Sequence, residues 1–473
     1  MIKQKVSFMI TLLMPLCLMS CGFTNMVFYY FGLQAYDDLR RLLLIGILSI
    51  LFGFSLLKLL ILYRDHPKER KKIFLLLLIP AMWIIVYIVA IHRFGIRYQI
   101  ISNLKSFGIY CIPAFIYAIS LAIERTEETF IKAYKWYALI ITPLMIYYVM
   151  RIMACTSFVY RLNELGKNLN YLTLGYTIVT ILVFCILDFY LHPESKWLQA
   201  IIILLWIACI FTGGKGPLIC MLIFLMVFIA YLFVQKQNKR IFWLLSLMLS
   251  ILLFFIFIYS PPSSGLYRVN YLIKDFQNHS FQSSNMAEDD KEIVFNLAQN
   301  ASPSKSIKEI LRENNESSEN NDEQKETTLN EDNFVYVKWD RMFLYKMALF
   351  EGNNAPLTGL GPMGYTLKYG MYPHNILLEI VSDFGYLIAI PFALIILFLI
   401  FILYQRGKND RIVACMLLYI FSLIPAAMVS GTVYYSEGLF FFLGYAFASI
   451  DKNYIKTWKI KSDKENEYGG FTS

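Results

Sequence analysis

The sequence predicts an all-α protein of the membrane: a polytopic bundle of about twelve transmembrane helices with one large extracytoplasmic loop between the ninth and tenth spans. Three observations predict it. Of the 473 residues, 58% are hydrophobic and 16% charged, whereas soluble domains run at about 45–50% apolar and about 25% charged. The apolar residues come in blocks of roughly 17 to 25, the length of helix that crosses about 30 Å of hydrocarbon at 1.5 Å per residue. The cations behind the net charge of +9 sit mostly in short stretches between those blocks. Orientation signals are expected there, so the charge reads as topological and no nucleic-acid partner is expected.

The first block, 6–31, follows a basic start, and Leu18-Met19-Ser20-Cys21-Gly22 is similar to a lipoprotein cleavage site. The apolar run continues beyond Cys21, so an uncleaved first span is expected. Further spans are expected near 42–63, 73–91, 107–123, 135–150, 171–191, 197–211, 217–234, 241–260, 385–404, 412–429 and 434–450. This divides the chain into a bundle of nine spans (1–260), the large loop (261–373), three further spans (374–450) and a tail (451–473).

Orientation follows from the positive-inside bias. With both termini cytoplasmic, the inner segments collect Arg64, Lys68, Arg70, Lys71, Lys72, Lys236, Lys239, Arg240, Arg406, Lys408, Arg411 and the Lys-rich tail. The large loop then lies outside the cytoplasm. Within it, 300–333 is rich in Glu, Asn, Ser and Lys and poor in large apolar residues, a composition that cannot bury enough surface to fold alone and is expected to be disordered. Ser306 to Arg312 reads as a short amphipathic helix resting on the membrane surface or a neighbouring helix. Asp289-Asp290 reads as a solvated acidic run, and no metal site is expected. The eight cysteines fall in or beside apolar segments with no CxxC pair, which implies inert core residues rather than a zinc site or disulfide scaffold.

Basic residues that break the positive-inside rule must offset an unfavourable topogenic effect by some use. Arg93, Arg97, Arg151, Arg161 and Lys215 are such residues. A cluster of guanidinium groups at the outer rim suits binding of a phosphate or diphosphate; snorkelling to outer headgroups is the alternative for each one alone. Lys215 lies in Thr212-Gly213-Gly214-Lys215-Gly216-Pro217, a glycine turn that allows close approach of backbone to an anion, or that simply makes a hairpin between helices. It is not a Walker loop, since the spacing is wrong and no strand precedes it.

The densest signal comes late in the loop. Trp339 to Phe350 carries an apolar helical pattern with Arg341 near its start; a turn follows in Leu357-Thr358-Gly359-Leu360-Gly361-Pro362, then Pro373-His374-Asn375 runs into a helix bearing Glu379 and Asp383. With an ordinary pKa near 6.5, His374 is suited to take a proton from a sugar hydroxyl. Glu379 and Asp383, four apart, share a helical face and are placed to orient that base or to cap the helix.

These residues resemble the O-antigen ligase and polymerase superfamily of bacterial surface-polysaccharide assembly. Its members show an Arg before an apolar helix, a P-x-x-G-x-G turn, and an H-N pair followed by an acidic residue, one position and Gly. Here these fall on Arg341, Pro356 to Gly361, His374-Asn375 and Asp383-Phe384-Gly385. A family motif between two central spans falls on Thr212 to Gly216, with Lys215 where Arg is usual, and a Lys ammonium is a point charge rather than a planar fork.

The resemblance implies a GT-C-like bundle and a metal- and cofactor-independent transfer of an oligosaccharide from its polyprenyl diphosphate, such as undecaprenyl diphosphate, onto an acceptor hydroxyl. Arg341, with Lys215, Arg93, Arg97, Arg151 and Arg161, would hold the leaving diphosphate, and His374 would activate or position the acceptor, supported by Asn375, Glu379, Asp383, Gly359 and Gly361. The implied partners are the lipid-linked donor, the glycan acceptor, membrane lipids, a chain-length regulator and a flippase, all in a bacterial inner membrane.

Three functions lead, with a purely structural or sensory membrane protein as the remainder: polymerisation of lipid-linked repeat units into O-antigen or capsular polysaccharide, ligation of finished glycan onto lipid A core or protein, and flipping of lipid-linked oligosaccharide. A flippase needs ionisable groups lining a central cavity, and the spans hold few. The expected order is polymerase first, then ligase, then flippase.

Overall fold

A computed structural model of the full chain describes residues 2–31, 36–153, 171–212, 215–235, 239–257 and 341–450. Arg161, Asp289-Asp290, the Ser306 to Arg312 helix, the 300–333 segment and the tail from 451 lie outside the described residues, as does the Cys21 side chain. The described part is all-helical, as the composition requires: in lipid, helices satisfy every backbone group within the segment.

The helices run in order as α1 (Ile2–Leu13), α2 (Pro15–Tyr30), α3 (Asp37–Asp65), α4 (Arg70–Phe94), α5 (Tyr98–Ser106), α6 (Ile112–Glu124), α7 (Glu127–Met153), α8 (Tyr171–Leu191), α9 (Lys196–Phe211), α10 (Lys215–Gln235) and α11 (Lys239–Phe257). After the loop come α12 (Arg341–Asn354), α13 (Gly364–Tyr369), α14 (Ile376–Phe384), α15 (Tyr386–Gly407), α16 (Arg411–Val429) and α17 (Glu437–Ala448). The 261–373 loop is therefore not uniform: its last part folds into α12 and α13.

By length and composition seven described helices can cross a membrane: Asp38–Asp65, Pro67–Phe94, Tyr98–Glu124, Thr173–Leu191, Gly216–Val234, Tyr386–Gly407 and Arg411–Met428. The first expected span is instead two helices, Phe8–Met19 and Gly22–Tyr30, bent by 83°, which make an eighth if counted as one broken span. Pro15, which opens α2, lies within the first of these segments and not at the bend. Shorter apolar helices occupy Lys196–Phe211, Ile241–Phe254 and Glu437–Ala448. In Asp38–Asp65 and Tyr386–Gly407 only 22% of the apolar window is buried, so these helices spend their apolar surface on lipid.

Small residues let the inner helices meet. Gly444 of α17 lies against the Phe115 carbonyl and Ala118 of α6, where a Cβ has no room. One end of the bundle is tied by Lys72 Nζ, which donates to the carbonyls of Ala448 (2.5 Å) and Ile450 (2.8 Å), by Arg406, which donates to the Ser449 carbonyl, and by Tyr445 OH, which donates to Glu127 (3.2 Å). Lys58, fully buried in α3, pairs with Glu124 at 2.6 Å; a charge taken out of water needs such a partner. The opposite end carries Arg93, since α4 begins at Arg70 and rises about 36 Å over its length.

Candidate functional site

At that opposite end α14 is the hub. Asn375 caps it, its Oδ1 accepting from Leu378 N at 3.1 Å, so capping falls to the Asn rather than to the acids. Glu379, fully buried, accepts from Thr432 Oγ1 (2.9 Å) and Val433 N (2.6 Å). Asp383, fully buried one turn later, accepts from Tyr365 N (2.7 Å) and Tyr434 OH (2.5 Å), while Tyr434 OH itself accepts from Met363 N at 2.5 Å. The two carboxylates thus bind the 430–436 segment and the 355–365 segment to one helix. Burial pushes the Asp383 carboxyl up to about 7, and burial with the neighbouring Asp383 charge pushes Glu379 well above the carboxylate range.

The glycine turn packs on the end of the same helix. Leu360 N and Gly361 N donate to the carbonyls of Ser382 and Asp383, each at 2.8 Å, and Tyr386 N donates to Pro356 O at 2.7 Å. Gly359 and Gly361 hold φ of +59° and +89°, which glycine adopts without steric cost. Arg93 lies so close over Gly361 that a Cβ there would overlap its guanidinium. α12 is fixed beside this turn: Tyr365 OH donates to Leu344 O at 2.8 Å, and buried Glu351 accepts from Lys368 Nζ (2.9 Å) and Tyr369 OH (2.5 Å).

His374 sits at φ +58°, a left-handed backbone that non-glycine residues seldom adopt. Its ring lies 4.3 Å from that of Tyr372, and its Nδ1 is buried with no hydrogen-bond partner among the described residues. Burial, together with the Arg341 charge, holds the imidazole down to about 4 from its ordinary 6.5. It is therefore neutral at pH 7. Arg341 is exposed at the start of α12, and its charge also acts on Tyr176, Tyr345 and Tyr372. Tyr176 OH donates to Ser430 Oγ at 3.1 Å, and Tyr372 OH approaches the Ser430 carbonyl at 3.5 Å.

Of the expected site residues, the fold gathers Arg341, His374, Asn375, Glu379, Asp383, Gly359, Gly361 and Arg93 at one end. Arg97 turns its Nε back to Phe94 O at 3.3 Å, and Arg151 is exposed near the end of α7. No hydrogen bond or ion pair among the described residues joins either of them to Arg341 or His374. Lys215 opens α10, with its side chain outside the described set, but Gly216 beside it abuts Tyr176 OH, so this helix start reaches the same end. The sequence reading missed Tyr372, Tyr176, Ser430, Thr432 and Tyr434; the adjacent tyrosines Tyr434-Tyr435 beside Ser436 were the available signal.

A cavity of about 590 Å³ opens beside these residues among α2, α8, α15, α16 and α17. Its wall is mostly apolar, with Leu18, Phe392, Ile396 and Leu423, and its polar groups include Tyr176, Ser430, Thr432, Tyr435 and Glu437. Among the described residues no group of three or more His, Cys, Asp or Glu stands placed to hold a metal ion.

Such an arrangement defines a membrane helix bundle with a cationic, histidine-bearing site at one end, next to an apolar cavity. Residues 200–393 match the family model described as O-antigen ligase, a stretch that contains the Thr212 to Gly216 motif, Arg341, the glycine turn and His374. The resemblance to the O-antigen ligase and polymerase superfamily is borne out over that stretch. No curated protein matches the chain.

Proposed function

We propose that the chain transfers glycan from a polyprenyl-diphosphate carrier, as a polymerase of lipid-linked repeat units, at the outer face of a bacterial inner membrane crossed twelve times with both termini cytoplasmic. The observation that carries this reading is the convergence of Arg341 and His374 beside an apolar cavity. A donor of this class has an anionic head at the water interface and a prenyl chain in the hydrocarbon. Arg341 and Arg93 hold the head and offset the charge that develops as the sugar departs. The cavity takes the first units of the chain. Neutral His374 presents one N–H and one lone pair, and orients the acceptor hydroxyl toward the anomeric carbon.

Ligation of finished glycan is the second reading, favoured by the description of the matching family. Gel electrophoresis of surface glycan from a deletion strain separates the two. Chains one repeat long support the polymerase, and loss of all attached glycan supports the ligase. Lipid-linked units accumulating on the cytoplasmic side contradict both and indicate a flippase.

A further inference from the structure

When an acceptor hydroxyl attacks an anomeric carbon, its proton must leave, and His374 is a poor final holder for it. An imidazolium there would stand half-buried beside the Arg341 charge, which is why the ring resists protonation down to about 4. The acids of α12 and α14 are no better placed. Glu351 is occupied by Lys368 and Tyr369, Glu379 by Thr432 and Val433, and Asp383 by Tyr365 N and Tyr434. All three are buried at 3% exposure or less.

Glu437 differs. It stands in the first turn of α17, after Ser436 has capped the helix through Leu439 N at 3.4 Å. Apart from its own backbone N–H, it has no hydrogen-bond or ion-pair partner among the described residues, and it lines the cavity that Tyr176 and Ser430 also line. Those two residues border the Arg341 group, and Tyr372, its ring tilted against that of His374, reaches Ser430 as well. An ionisable side chain facing a cavity inside a membrane bundle calls for a function. As a carboxylate, Glu437 would repel a diphosphate and attract a hydroxyl proton, the complement of the cationic wall.

We infer that Glu437 accepts the proton of the attacking hydroxyl, an inference that rests on the glycosyl-transfer reading of this site. The bond from acceptor oxygen to anomeric carbon forms, the bond from that carbon to the phosphate oxygen breaks with its electron pair passing to the diphosphate, and the proton passes to the Glu437 carboxylate. His374, donating its N–H to the hydroxyl oxygen, leaves that proton pointing away from the ring.

The test uses full-length protein in proteoliposomes with lipid-linked glycan extracted from the deletion strain, assayed from about pH 5 to 9. Wild type is expected to show a rate limb that rises with pH. Glu437→Gln should lower kcat by about 100-fold or more, abolish that limb and leave donor KM within about threefold. Glu437→Asp should keep the limb at reduced kcat. A Glu437→Gln enzyme with wild-type kcat and profile overturns the inference, and so does a loss matched by an equal rise in KM with the limb intact. If Glu437→Gln fails to reach the membrane, Glu437→Asp decides, and unchanged kcat in it is the contrary result. Wild type inert toward every lipid-linked glycan sinks the glycosyl-transfer reading itself, which separates the two failures.

Discussion

The charge of Arg341 falls on the imidazole of His374, and burial plus that charge hold the ring neutral down to about pH 4. A free histidine would lose activity as pH falls through 6.5. The first prediction is that His374 adds no inflection near 6.5 to the wild-type rate, so that the rising limb assigned to Glu437 accounts for the whole of its acid side. Arg341→Gln removes a repelling cation and so raises the His374 pKa toward its ordinary value; any residual activity of that variant should acquire an acid limb at higher pH than wild type. Matching acid limbs in the two enzymes contradict the coupling.

Asp383 supplies a stability test with a definite sign. Its carboxyl titrates near 7 in the folded protein and near 3.8 when exposed. Between those values the folded state binds more protons, so stability falls as pH rises, by at most about 1.4 kcal/mol per unit. His374 acts in the opposite sense between about 4 and 6.5, because there the unfolded state binds the extra proton. Thermal unfolding in detergent at a series of pH values should show Asp383→Asn losing part of the falling component, the remainder being that of buried Glu379, while keeping the rising one. A slope identical to wild type would count against this assignment.

Glu379 accepts from Thr432 Oγ1 and Val433 N in a fully buried place. Glu379→Ala leaves both donors without an acceptor, at about 1–3 kcal/mol each. Glu379→Gln keeps one acceptor oxygen. The alanine variant should unfold at a clearly lower temperature in detergent than the glutamine variant, and equal melting of both would show that the 430–436 segment is not held this way.

Gly361 and Gly370 share positive φ, +89° and +71°, but a Cβ at Gly361 meets Arg93 whereas none meets anything at Gly370. Alanine at Gly370 carries backbone strain alone, about 1–2 kcal/mol. Alanine at Gly361 also displaces the guanidinium. Donor KM should therefore rise in Gly361→Ala and stay near wild type in Gly370→Ala; an equal change in both would remove Arg93 from the site.

Much of this was legible in the sequence. Each of the twelve expected spans overlaps a helix, because an apolar block long enough for the bilayer has no better state than a helix in lipid. His374, Arg341 and the glycine turn were legible because Pro356 to Gly361 and His374-Asn375 are local patterns. The 83° bend between Phe8–Met19 and Gly22–Tyr30 was not, since apolar count ignores direction. Nor was the bonding of Glu379 to Thr432 or of Asp383 to Tyr434, which joins positions far apart in the chain. Reading those acids as caps followed from spacing alone, while Asn375 was already in the N-cap place. Glu437 falls inside the expected 434–450 span and carries no motif of its own, and only the cavity beside it gives it a use.

Under the proposed function, Arg341 and His374 form one site for transfer from a diphosphate carrier. The most direct measurement is electrophoresis of surface glycan from the deletion strain carrying wild type, Arg341→Ala or His374→Ala, with membrane abundance of each protein checked by immunoblot. Wild type should restore long chains, and both variants, present at wild-type abundance, should restore none. Long chains of normal length in either variant would contradict it.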